Sequence, residues 1–202
     1  MSTTLASPLS AAGLVNFTIR PACERDVRDL MKMIRELAQF ETLEHELEAN
    51  ETSLRDWLFG GHPAAAALIA TVDGVRAGYA VFFYTFSSFA GRPGIFLEDV
   101  YVRPPFRRRG LGSALLKAVA RIGAERGCGR FEWIALRWNE TALKFYQSLG
   151  AKEMDNWVLL RMNSLEIRNL VVARASRPCV SNSQVRPPQK HTGETPVPLP
   201  HD

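Results

Sequence analysis

At 202 residues the chain has room for one ordinary domain with a sizeable core, plus tails. Its net charge of +4 is modest for that length, and its three cysteines, Cys23, Cys128 and Cys179, lie far apart. Neither a disulfide framework nor a metal site is indicated, a reducing, cytoplasmic setting is the default, and no apolar run approaches the roughly 20 residues of a membrane helix.

Residues 1–15 are small and weakly apolar and lack the basic start of a secretory signal, so they are expected to be a disordered leader. A domain over residues 16–172 follows. It opens with the short strand Phe17, Thr18, Ile19, Arg20, ended by Pro21. Val27, Leu30, Ile34, Leu37 and Ala38 then space out as the buried stripe of a helix over 24–40. The acidic stretch Glu41, Glu44, Glu46, Glu48 reads either as a solvated loop or as part of a site for a cation. A second helix, over 51–59, is stopped by Gly60 and Gly61.

Two strands, 66–72 and 75–86, flank Asp73 and Gly74, a strong hairpin signal. After the turn 91–94 the strand 95–102 alternates. Phe96, Glu98, Val100 and Val102 are expected on one face and Ile95, Leu97, Asp99 and Tyr101 on the other. Pro104 and Pro105 end its ladder because they carry no backbone N–H. The basic run Arg107, Arg108, Arg109, Gly110, Leu111, Gly112 then opens a helix near Ser113, over 113–126. A strand feeding a glycine-spaced turn at a helix N-terminus is a place to hold phosphate, because the first N–H groups of the helix are unpaired and the dipole end is positive. The spacing does not fit a Walker loop, and Leu115 stands where the dinucleotide fingerprint needs its third glycine. What fits is R-x-x-G-x-G.

The strand 130–136 follows a helical crossover and should run parallel to 95–102. Asn139 is suited to cap a helix that carries Ala142, Phe145, Tyr146 and Leu149. Short strands at 151–154 and 157–162 and a helix over 165–173 complete the reading. Residues 173–202 hold six of the twelve prolines and no aromatic, which predicts a proline-rich disordered tail. The basic residues outside the tail cluster in one turn rather than across a face, which argues against nucleic acid as a partner.

Residues 17–162 resemble the GCN5-related N-acetyltransferase (GNAT) superfamily, closest to its spermidine/spermine and thialysine N-acetyltransferase branch. The matching words are Ile19-Arg20-Pro21-Ala22, Glu36-Leu37-Ala38, Phe40-Glu41, Gly61-His62-Pro63, Leu97-Glu98-Asp99, Arg107 to Ser113, Trp138-Asn139-Glu140, Phe145-Tyr146 and Leu149-Gly150-Ala151. The resemblance implies an α/β (α+β) fold whose mixed, mostly antiparallel sheet is splayed between two parallel central strands and flanked by helices. It implies an acyltransferase moving an acetyl group from acetyl-CoA to a primary amine, without a metal, by direct attack in a ternary complex of a homodimeric protein.

In that reading Arg107, Arg108, Arg109, Gly110, Leu111, Gly112 and Ser113 cradle the pyrophosphate, and the backbone N–H groups of Val100 and Val102 meet the carbonyl oxygen. Glu98 carries the amine proton, Tyr146 protonates the thiolate and also touches the donor, and Asn139 contacts the donor. Glu41, Glu98, Asp99 and Trp157 face the amine. A lysine-like amine of pKa about 10.4 is neutral in fewer than about one molecule in a thousand at pH 7, so losing its proton is a real step. Polyamine acetylators of the branch place a tyrosine where Phe40 stands, acidic and tryptophan residues where Ser87 and Phe89 stand, and an acidic residue where Arg137 stands. These departures leave a polyamine, a lysine analogue or another small amine as substrates. Acylation of a protein amine and a non-catalytic acyl-CoA sensor are the alternatives, and the presence of both Glu98 and Tyr146 argues against the sensor.

Overall fold

The computed structural model describes residues 16–175; the leader and most of the tail expected from the sequence lie outside them. The chain divides into two units, one up to Leu149 and one from Gly150. In the first, a five-stranded sheet runs in the order β1 (Phe17–Pro21), β2 (Ala66–Val72), β3 (Val75–Ser87), β4 (Arg92–Val102), β5 (Phe131–Trp133). The first four strands pair antiparallel and β4 pairs parallel with β5. Asp73 and Gly74, with φ of 47° and 79°, make the β2–β3 turn, both in the left-handed region that a two-residue hairpin needs.

Helices cover both sheet faces. On one, α3 (Leu111–Glu125) lays Leu115, Leu116 and Val119 on Leu68, Ala80, Phe82, Ile95 and Leu97. On the other, α1 (Val27–Glu41) and α2 (Glu51–Phe59) bring Leu30, Met33 and Leu58 onto Ile69, Tyr79, Val81 and Tyr101. The start of α1 is tied to the sheet by buried Asp26, whose carboxylate takes two bonds from the Arg20 guanidinium, at 2.6 and 2.7 Å, and one from Arg76 Nε at 3.2 Å. Burial raises the Asp26 pKa, but the hydrogen bonds from Arg20 and from the Cys23 amide and thiol override it and hold the carboxyl well below the usual range. Helix α4 (Glu140–Ser148) begins at Asn139, whose Oδ1 accepts the Ala142 N–H at 3.1 Å.

β4 begins at Arg92, so residues 92–94 of the expected turn 91–94 belong to the strand and pair with β3. Three further expectations about strands are corrected. The strand over 130–136 is only Phe131–Trp133, with three partners, Ile95, Leu97 and, between them, Phe96. The strands at 151–154 and 157–162 do not form: the second unit has a turn at residues 155–156, where Trp157 N–H bonds to Met154 O, and then α5 (Ser164–Ala175). Finally, β4 does not alternate strictly. Its register with β3 steps from Val81↔Asp99 to Phe82↔Leu97, leaving Glu98 as the extra residue of a β-bulge.

Candidate active site

The bulge sets up the site. Ile95 N–H bonds to Arg130 O, toward β5, whereas Arg103 N–H bonds to Ala77 O, toward β3. Amides an even number of residues apart on a regular strand point the same way, so the direction has been reversed once between them, at Glu98. Beyond the bulge, Val100 and Val102 therefore aim their N–H groups away from β3, to the side where β5 has stopped pairing. The same reversal puts Val100 and Val102 on the α3 face with Ile95 and Leu97, and Tyr101 on the α1 face. The strands pair as far as Leu97 and Trp133 and then open, which is the splay expected of the sheet.

A recess of about 50 Å³ lies in that opening. One wall is Leu97, Glu98, Asp99 and Val100; the other is Trp133, Ile134, Ala135 and Leu136. Helix α1 adds Leu37 and Glu41, and Asn139, Ala142 and Tyr146 close it from the α4 side. Six residues singled out in the sequence, Glu41, Glu98, Asp99, Val100, Asn139 and Tyr146, thus meet around one space. Burial raises the Glu41 pKa, and burial followed by the nearby Glu41 charge raises that of Tyr146, so its hydroxyl keeps its proton at neutral pH. Its ring is held against Trp133, with centroids 5.1 Å apart. Desolvation, then Glu98 and Glu41, push Asp99 up to about 6.

The phosphate loop lies at the far end of β4. Arg108, with φ 60°, and Gly110, with φ 79°, both take the left-handed conformation, so α3 starts at Leu111, two residues before the expected Ser113. A non-glycine residue there costs about 1–2 kcal/mol, strain of the kind that collects at ligand loops. The chain then turns the first amides of α3, those of Leu111, Gly112 and Ser113, out of the helix ladder, an anion cradle. A Cβ on Gly112 would meet nothing nearer than Val102 Cγ2 at 3.9 Å. The protein itself does not need glycine there; a ligand on the backbone would. Among the described residues Arg108 and Arg109 have no ion-pair partner. Arg107 differs: its Nε donates to Val102 O at 2.8 Å, and its guanidinium lies over the rings of Phe40, at 4.9 Å, and Tyr101, at 5.6 Å.

Two features escaped the sequence reading. Phe40 packs on Trp138 with centroids 5.9 Å apart, so Arg107, Phe40 and Trp138 form a stack joining the loop, the end of α1 and the start of α4. Tyr79, wholly buried, donates its hydroxyl to Asp99 Oδ2 at 3.4 Å. In sequence it is one apolar strand position among several, and only the β3–β4 register brings it to the site. Trp157 belongs to the second unit and is exposed.

Residues 31–151 match the model of the acetyltransferase (GNAT) family. The chain is 35% identical over 163 residues to thialysine N-epsilon-acetyltransferase of Mus musculus, covering 75% of this chain and 95% of the relative. It is 30% identical to L-ornithine N5-acetyltransferase of Arabidopsis thaliana, covering 71% and 83%. Among solved structures, an integron cassette protein from the mobile metagenome of V. cholerae superposes with a TM-score of 0.66 at 24% identity, over 79% of this chain and 99% of that one, a likeness of fold.

Proposed function

Because this chain belongs to the acetyltransferase (GNAT) family and is therefore an acyltransferase, we propose that it moves the acetyl group of acetyl-CoA to the primary amine of a small cationic substrate, of the thialysine, ornithine or polyamine kind. The observation that carries the proposal is the recess at the splay, lined together by three carboxylates, the Tyr146 phenol and Val100 of β4. Acetyl-CoA supplies an activated thioester. The residues present suit it: the first turn of α3, with Arg108 and Arg109, offers donors and charge to its pyrophosphate, and Gly112 leaves the backbone open.

The Val100 and Val102 amides stand ready for the carbonyl oxygen, where donors fixed in advance stabilise charge as it develops. Glu41, Glu98 and Asp99 attract the ammonium, and Glu98, exposed on the bulge, is the outlet by which the proton lost from the site reaches solvent. Tyr146, kept protonated, returns a proton to the departing thiolate. Asn139 has its Oδ1 committed to the helix cap, leaving its amide N–H₂ for the donor. Arg107, stacked and bonded to Val102 O, acts by holding the loop against β4. Cytoplasmic location and a homodimer belong to the same proposal.

The test is a panel of amines (ornithine, a lysine analogue, a diamine, spermidine and a lysine-bearing peptide) assayed for acetyl-CoA-dependent thiol release. Turnover confined to the peptide favours the protein acetyltransferase, and binding of acetyl-CoA with no turnover favours the sensor.

A further inference from the structure

We infer that the proton shed by the incoming amine is received by Asp99, and that Tyr79 is the residue that positions this carboxylate. The inference rests on the amine-acetylating function proposed above.

Three carboxylates line the recess, and they are not equivalent. Glu41 ends α1, Glu98 sits exposed on the bulge, and Asp99, one residue on, is partly buried against Val81 in the β3–β4 register. Of the three, among the described residues, Asp99 alone receives a hydrogen bond from a wholly buried group, the Tyr79 hydroxyl. A tyrosine inside an apolar layer needs a partner for its O–H. Phenylalanine would fill that space without one, so the hydroxyl serves the carboxylate rather than the packing. Burial, followed by the charge of Asp99, raises the Tyr79 pKa well above its usual value, so it remains a donor.

The groups facing Asp99 are Glu98 from its own strand, Glu41 from α1 and Tyr79 from β3, with Tyr146 and Asn139 on the other side of the recess; among the described residues no lysine or arginine lines it. Desolvation and the two neighbouring carboxylates bring Asp99 to about 6. It is thus ionised at neutral pH yet about two decades closer to an ammonium of pKa about 10.4 than an ordinary aspartate is. In the step, an N–H bond of the ammonium breaks and its proton goes to a carboxylate oxygen of Asp99. The freed nitrogen pair forms the N–C bond as the C–S bond breaks, the thiolate takes the Tyr146 proton, the second N–H proton shed as the amide forms returns to the tyrosinate through solvent, and Asp99 releases the first proton to solvent past exposed Glu98.

The experiment is the pH profile of kcat/KM at saturating acetyl-CoA, with an amine that the wild type acetylates, for Asp99→Asn, Tyr79→Phe and Glu98→Gln. Asp99→Asn is expected to lose about 10²-fold or more. Tyr79→Phe removes a bond to the ionised form and moves the acidic limb up in pH, with the KM for acetyl-CoA unchanged. Glu98→Gln removes a like charge and moves the limb down. Opposed shifts are not produced by loss of packing. Should Tyr79→Phe fail to fold, the Glu98→Gln shift carries the test. Limbs that do not move, or a Glu98→Gln loss as large as that expected of Asp99→Asn while Asp99→Asn stays near wild type, overturn the inference alone. A wild type that acetylates no amine overturns the proposed function and this inference with it.

Discussion

Replacing Gly112 by alanine separates what the fold requires from what the ligand requires. Gly112 lies in the first turn of α3, and an added Cβ there has 3.9 Å of clearance to Val102 Cγ2. Alanine in a helix is favoured over glycine by about 0.5–1 kcal/mol, so Gly112→Ala is expected to raise Tm by about 1–4 °C for a domain of this size. The same methyl stands over amides proposed to meet pyrophosphate. Losing one charge-assisted bond costs about 1.5–3 kcal/mol, which is about 10- to 150-fold in Kd. Gly110→Ala is the converse: at φ 79° a side chain is strained, and a loss of about 1–2 kcal/mol is expected whether or not a ligand binds. Thermal melts with and without acetyl-CoA, alongside calorimetric titration, read both quantities. A Gly112→Ala protein that melts higher and binds acetyl-CoA as tightly as wild type refutes the phosphate-loop reasoning.

Tyr146→Phe keeps the ring on Trp133 and is expected to bind acetyl-CoA normally while turnover falls about 10²-fold; near wild-type turnover returns the residue to a packing role. Asp26→Ala takes the shared carboxylate from Arg20 and Arg76, which remain part-exposed and keep Pro21 O and Thr71 Oγ1 as acceptors, and an expected loss of about 1–3 kcal/mol is read by chemical denaturation. The depressed Asp26 pKa means that the folded state binds this proton more weakly than the unfolded one. Its stabilisation is thus complete above the ordinary value of 3.8 and is lost as pH falls toward the folded value, and Asp26→Asn should flatten that acid limb. Asp99 carries the opposite sign. Its folded pKa of about 6 exceeds the ordinary 3.8, so stability declines as pH rises between them, and Asp99→Asn should melt higher than wild type at pH 7.

Much of the fold was legible because it is written locally. Asp73-Gly74 dictates a turn, Asn139 caps α4, and apolar stripes give α1 and α3. The phosphate loop was legible because its chemistry lies in consecutive residues. What stayed hidden depends on partners distant in the chain. Alternation from Ile95 to Val102 assigned Val100 and Asp99 to the wrong neighbours, since a bulge is defined by the opposite strand. The stretch 157–162, apolar but for Arg161, has strand propensity, but a strand needs a ladder beside it, which propensity does not supply. Tyr79 joined the site only through register, and Arg107 turned onto Phe40 and Tyr101 because aromatic faces were within reach.

The reversal of direction at Glu98 also leaves a mark on the exchange of backbone hydrogens with solvent. An interior strand ordinarily holds the slowest-exchanging amides of a domain. Here Tyr101 should exchange slowly, bonded to β3, while Val100 and Val102 on either side of it exchange fast, because they point into the opening. Saturation with acetyl-CoA should slow those two and leave Tyr101 unchanged, so that a strand two-edged in the free protein becomes evenly protected when the ligand takes the place of the missing neighbour.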